Sequence, residues 1–226
     1  WDLDGAILAG TYVAFASAAF TINGNVHANG NVTSASGAQN GDIFGLVSAV
    51  GTLGNLQGIL QPGSPARVLP VFNLESFRTL AIQGGAYYPT NKTFSGTAIS
   101  SSNGIIYVNG NVTIQNRSQL NGTLVANETV TIDNKFDQHT AVGANYPAII
   151  AKGTIDVNNR TRWQGMLYSY ANIVLRNNME ILNGVVAHGY VDIKNQVVIT
   201  KGAGYPPWDP LNPTVPPEVV VGGWLK

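Results

Sequence analysis

Between Asn103 and Lys201 the apolar residues recur in a fixed pattern. Gly104, Gly122, Pro147, Gly165 and Gly184 are spaced by 18, 25, 18 and 19 residues, the long interval being one 18-residue unit with seven residues inserted. Two residues after the markers stand Ile106, Leu124, Ile149, Leu167 and Val186. Eight and ten after the first four stand Val112 and Ile114, Val130 and Ile132, Ile155 and Val157, and Ile173 and Leu175; Val191 and Ile193 take those places in the shorter fifth unit. Asn116, Asn134, Asn159, Asn177 and Asn195 close the units. Residues alternate sides along a strand, so each unit predicts a pair of short strands with one apolar side, turned at Gly and Asn, which accept positive φ. A period near eighteen of this kind predicts stacked coils burying files of Val, Ile and Leu. The fold class is all-β: a single-stranded β-helix, or β-solenoid, of about eight coils, taken as right-handed.

The start of the chain carries the rhythm less cleanly. Gly5, Gly24 and Gly41, followed by Ile7, Val26 and Ile43, predict three further coils rich in Ala, Ser and Gly over residues 1–54. Residues 55–102 break it. Pro62, Pro65 and Pro70 indicate loop; Asn73 caps a short helix with Leu74, Phe77 and Leu80 or Ala81 as its apolar stripe, and Gly84-Gly85 ends it. The helix is expected to fold over one solenoid face, with 86–102 extended or loop. Coils resume over 103–201, a loop projects within 133–145, and the Pro-rich residues 202–226 form a cap anchored by Val219 to Val221 and Trp224. The whole, 1–226, reads as one domain.

Composition narrows the function. Twelve basic residues balance twelve acidic ones and only 11% are charged, so nothing draws the chain to nucleic acid. Without Cys there are no disulfides or thiol chemistry. Asp133, Asp156 and Asp192 fall at different offsets, with Asp156 and Asp192 at best two coils apart, and His27, His139 and His188 lack ligand spacing. No catalytic group, metal or cofactor is therefore assigned. The sequons at Asn31, Asn91, Asn111, Asn116, Asn121, Asn127 and Asn159 coincide with corners that favour Asn anyway. The Thr of offsets seven and nine, Thr113, Thr129, Thr131 and Thr154, are interrupted by Asn111, Asn172, Asp156 and Val174, an irregularity that argues against an ice-binding plane.

Aromatic residues give the main candidate surface. Tyr107 and Tyr168 share an outward offset with Val125, Ile150 and Ala187. Such a column is either covered, by the 55–102 insertion or by the tail, or used; if used, it is a strip for stacking on sugar rings, joined by Tyr87, Tyr88, Trp163, Tyr170 and Tyr190.

The run from Ile22 to Val32, INGNVHANGNV, the Pro-rich stretch Pro62 to Pro70, the helix with Tyr87-Tyr88, the run Gly104 to Ile114, GIIYVNGNVTI, and the tail with Trp224 resemble the β-solenoid domains of PilX-type proteins encoded with type IV pili. They are similar in kind to tāpirins, cellulose-attachment proteins. That resemblance implies a non-catalytic extracellular or cell-surface attachment module, associated with pili, with insoluble polysaccharide such as cellulose, another surface and pilus components as partners. A membrane anchor would then lie upstream. The competing expectations are a structural filament or envelope subunit and a polysaccharide lyase or hydrolase.

Overall fold

The computed structural model describes residues 5–17, 19–35, 41–133, 146–158 and 161–202. They form a β-solenoid of about nine turns with one short helix. Each full coil has three sides. Side A stacks, in order, Tyr87–Tyr88, Ala98–Val108, Gln119–Ala126, Ile149–Ala151, Leu167–Ser169, Val185–Ala187, Ile7–Ala9, Val26–Ala28, Leu46–Ala49 and Ile59–Pro62. Side B stacks Lys92–Ser95, Val112–Gln115, Val130–Asp133, Ile155–Asn158, the first half of Ile173–Leu182, the first half of Val191–Thr200, Val13–Phe15, Val32–Ser34 and Leu53–Gly54. The second halves of the two long strands, with Thr161–Gln164, Phe20–Asn23 and Asp42–Phe44, make side C. Every pairing is parallel.

The inward files are as the period requires. Val112, Val130, Ile155, Ile173 and Val191 are in direct register, as are Ile114, Ile132, Val157, Leu175 and Ile193, and all are buried. Ile106, Leu124, Ile149 and Leu167 stack on the neighbouring side. The file continues through Val185, not Val186: the deletion in the fifth unit falls directly after Gly184 rather than later in the coil. Val186 therefore faces outward, aligned with Tyr168, and Ala187 faces in.

Two segment boundaries also differ from the periodic reading. Ile43 pairs with Ile22 on side C, and Val47 is the residue aligned with Val26. The corner is Gly45, where a Cβ would come within 2.5 Å of the Gly24 backbone. At the other end the coils begin before residue 103. Tyr87–Tyr88 pairs with Tyr107–Val108 and Lys92–Ser95 with Val112–Gln115, while Ile59–Pro62 adds a strand beside Leu46–Ala49. Among the described residues, 63–85 is the segment that leaves the stack.

The order of stacking is not the order of the chain. Ile7–Ala9 lies between Val185–Ala187 and Val26–Ala28, so the N-terminal coils sit on the last coil of the C-terminal set. Residues 63–85 must then run from one end of the rod to the other. Nine steps of ~4.8 Å make ~43 Å. Thirteen extended residues plus a ten-residue helix reach ~60 Å, which suffices.

That strap contains the helix, Leu74–Gln83. Asn73 Oδ1 accepts from the N–H groups of Glu75 and Ser76 at 3.1 and 3.3 Å, Glu75 lies in the first turn, and the chain turns at Gly84-Gly85. Phe77 and Ala81 are buried against the outer surface of side A, as the amphipathic spacing predicts. The loop expected to project within 133–145, with His139, and the Pro-rich cap expected over 202–226 lie outside the described residues except at 133 and 202.

Candidate functional site

The outer surface of side A is where the aromatic strip was expected. Its central file is Tyr87, Tyr107, Val125, Ile150, Tyr168, Val186, Leu8, His27 and Ser48. The strap covers it. Tyr107 is 4% exposed and Tyr168 0%, and both belong to a second apolar cluster with Phe72, Phe77, Ala81 and Met166. The Tyr168 hydroxyl meets the Pro70 carbonyl, to which His188 Nε2 also comes within 3.0 Å, and the Tyr170 hydroxyl donates to the Phe72 carbonyl at 2.7 Å. Burial pushes the phenols of Tyr107, Tyr168 and Tyr170 upward, so all three stay protonated donors.

The same strap is held at its start by a polar set. Asn29 Nδ2 donates to the Arg67 carbonyl and Asn29 Oδ1 accepts the Arg67 N–H, both at 2.8 Å. His27, 2% exposed, sits 2.8 Å from Ser48 Oγ by Nδ1 and 3.1 Å from Asn29 Oδ1 by Nε2. Burial depresses its basicity, with the Asn29 contact opposing and Arg67 adding to the depression.

Of the remaining candidate aromatics, Tyr87 belongs to the same covered file and the others scatter. Trp163 aligns with Ile181 on side C and points into the core at 1% exposure, because the odd-numbered residues of Thr161–Gln164 are the inward ones. Tyr87 lies beneath the Arg78 guanidinium, 5.3 Å from it. Tyr88 packs on the core end with Lys92 Nζ at 4.7 Å from its ring. Tyr190 stands on side B, stacked on Tyr12 with ring centres 4.8 Å apart. No strip joins these seven side chains.

Side B has no strap over its outer surface among the described residues, and its register brings together residues that looked scattered. Thr93, Thr113 and Thr131 form one file, continued by Asp156, Val174, Asp192, Ala14 and Thr33. The preceding file reads Asn111, Thr129, Thr154, Asn172, Tyr190, Tyr12, Asn31 and Thr52, each residue directly preceding an aligned inward one. Ser95, Gln115, Asp133 and Asn158 form the third. The Asn residues pin the corner: Asn91, Asn111, Asn31 and Asn172 each accept a backbone N–H of the next coil through Oδ1, at 2.8 to 3.2 Å. Of the sequon residues, Asn31, Asn91 and Asn111 hold corners in this way.

The surface is interrupted at mid-rod. Asp156 takes a bidentate ion pair from Arg176, at 2.8 and 2.7 Å, and Asp192 pairs with Lys194 at 2.5 Å. The Arg176 guanidinium is held more strongly protonated, first by its hydrogen bond to Asp156 and then by that residue's charge. Asp156 and Asp192 do share a file two coils apart, and each carboxylate is engaged by its own cationic partner. Among the described residues no group of three or more His, Asp or Glu is placed to hold a metal ion.

No protein-family model matches the chain, and no curated protein matches it. Similar solved structures exist. One is an ice-binding protein from the Antarctic ascomycete Antarctomyces psychrotrophicus, 15% identical, with a TM-score of 0.47, covering 87% of this chain and 94% of that one. The Arctic yeast ice-binding protein LeIBP is 11% identical at a TM-score of 0.48, covering 88% and 90%. The DUF3494 domain of Shewanella frigidimarina ice-binding protein 1 is 12% identical at 0.46, covering 88% and 94%. These are ice-binding proteins, not pilus-associated attachment modules or filament subunits. With the Tyr107 and Tyr168 file roofed over as well, the expectation of polysaccharide attachment is corrected. Of the resemblance to PilX-type and tāpirin-like domains, the β-solenoid fold stands.

Proposed function

We propose that this chain is a non-enzymatic protein that binds ice through the outer surface of side B. The observation that carries the reading is the array of Thr93, Thr113 and Thr131 beside Asn111, Thr129 and Thr154 on a parallel sheet that has no strap over it among the described residues. Neighbouring members of a file are ~4.8 Å apart, and files on the same face are ~6.6 Å apart along the strand. A hydroxyl and a methyl repeat on that grid, and β-branching fixes the Thr rotamer, so little side-chain freedom is lost on contact. Such a surface offers no cleft for a soluble ligand; it suits a solid whose own hydrogen-bonding atoms repeat at similar distances. The interruptions noted in the sequence are present in the structure, Asn111 and Asn172 in one file and Asp156 and Val174 in the other; what the sequence reading missed is Thr93 at the head of the latter. The reading places the protein outside the cell, where extracellular ice forms.

Ice recrystallisation inhibition and thermal hysteresis test it. Wild-type protein is expected to arrest recrystallisation, and Thr113→Tyr, which lifts a bulky ring above the array without touching the core, is expected to abolish it. Wild type indistinguishable from an inert protein of equal concentration would refute the reading.

A further inference from the structure

We infer that the two ion pairs on side B, Asp156–Arg176 and Asp192–Lys194, limit the extent of the ice contact, confining it to the uncharged coils at the Thr93 end. This rests on the reading just given and concerns residues of the same surface. Thr93, Thr113 and Thr131 are followed in their file by Asp156, then Val174, then Asp192. Arg176 and Lys194 reach those carboxylates, so four charged groups form a band across the rod. Charges nearer the Thr array do not cross it. Asp133 lies at its side-C margin, Glu128 at the corner beside Asn111, and Lys92 occupies an inward file with its ammonium over Tyr88 and Phe94.

The physics separates the two zones. A Thr or Asn side chain replaces water in a hydrogen-bonded lattice at small cost. An ionised group holds its own hydration shell, and removing that shell is costly even for a paired ion. The side chains of Arg176, Asp156, Lys194 and Asp192 retain 43, 25, 39 and 19% of their exposure, so the pairs are solvated and would meet an approaching lattice charged. Net charge of the band is zero, which leaves association with ice unsteered; the effect is local exclusion.

Asp156→Thr/Arg176→Thr tests the idea. The pair is partly exposed, so its loss costs little stability and the variant folds. The Thr file then runs four members without a break. The expected result is a lower concentration for half-maximal recrystallisation inhibition, by about fivefold to tenfold, a change of ~1.4 kcal/mol in apparent affinity at the upper end. Asp156→Asn/Arg176→Gln, which removes charge while keeping size and polarity, is expected to move the same way by less. Thr33→Tyr, in the same file beyond the band, is expected to leave wild-type activity within about twofold, equivalent to ~0.4 kcal/mol. Unchanged or weakened activity in both charge-removing variants, or a Thr33→Tyr loss equal to that of Thr113→Tyr, would overturn the inference while leaving ice binding intact. An inactive wild type would remove the reading and this inference with it.

Discussion

Replacing Phe77 with Ala should release the strap without unfolding the rod. Phe77 is 1% exposed and meets Phe72 and Tyr146 edge-on, with ring centres 6.0 and 5.2 Å away. Burying and then deleting a Phe side chain in such a setting costs about 3–5 kcal/mol. The helix has ten residues, too few to persist undocked in water, whereas the sheets beneath it are paired on both edges over most of their length. The loss should therefore appear as local opening. Hydrogen exchange measures this directly: amides of Leu74–Gln83 should lose about two to three and a half decades of protection, one decade per 1.4 kcal/mol, up to the wild-type docking energy. Amides of Val112–Gln115 and Ile155–Asn158, on another side of the coil, should hold theirs, and ice recrystallisation inhibition should persist. Protection lost equally in helix and side B strands would show that the strap is part of one cooperative unit, refuting the reasoning; unchanged helix protection would refute the packing itself.

Three further outcomes follow from other positions. The folded protein depresses the basicity of His27 below its ordinary value of 6.5, so the unfolded chain binds the extra proton more readily; stability should be full above about pH 6.5 and fall as pH drops below it. Thermal unfolding at pH 7.5 and 5.0 checks this, and His27→Gln should flatten the difference. Gly10→Ala would put a Cβ 2.0 Å from the His188 carbonyl oxygen, where backbone cannot yield, so the seam between the N-terminal and C-terminal coils should weaken by about 1–3 kcal/mol or more in a denaturant melt. Thr123 is fully buried with its hydroxyl unpartnered, so Thr123→Val should raise the melting temperature, worth about 1 kcal/mol; a fall would show that the hydroxyl is satisfied.

The coils were legible because an inward aliphatic every second residue, repeated each turn, leaves a periodic trace. The errors arise where spacing alone had to choose among similar residues. Gly41 and Gly45 both precede β-rich tripeptides, and only the pairing of Val47 with Val26 decides for Gly45. Val186 and Val185 differ by one position after a deletion, and the side each faces depends on where the lost residue is taken up. Thr93 was missed because Lys92 stands where the other coils carry an aliphatic; its methylenes fill the inward place and its ammonium lies over the end aromatics. The helix was readable from its cap and stripe, and so was its docking, since an outward apolar file needs cover. The pairing of Ile7 with Val185 leaves no mark on the sequence, because any two coils of this composition can stack.

That last pairing brings Ala6 and Lys201 to the same spot: a Cβ on Gly24 would lie 3.1 Å from the Cβ of one and 2.8 Å from that of the other. Followed through space from residue 86 to 201 and then from 6 to 62, the described strands stack in one unbroken column. A gene rearranged to join those two points and open within 63–85 would encode a plain continuous spiral, with the crossing segment surplus to its connectivity. In the natural order residues 6 and 201 therefore stand side by side at the waist of the rod, away from the coils at either tip.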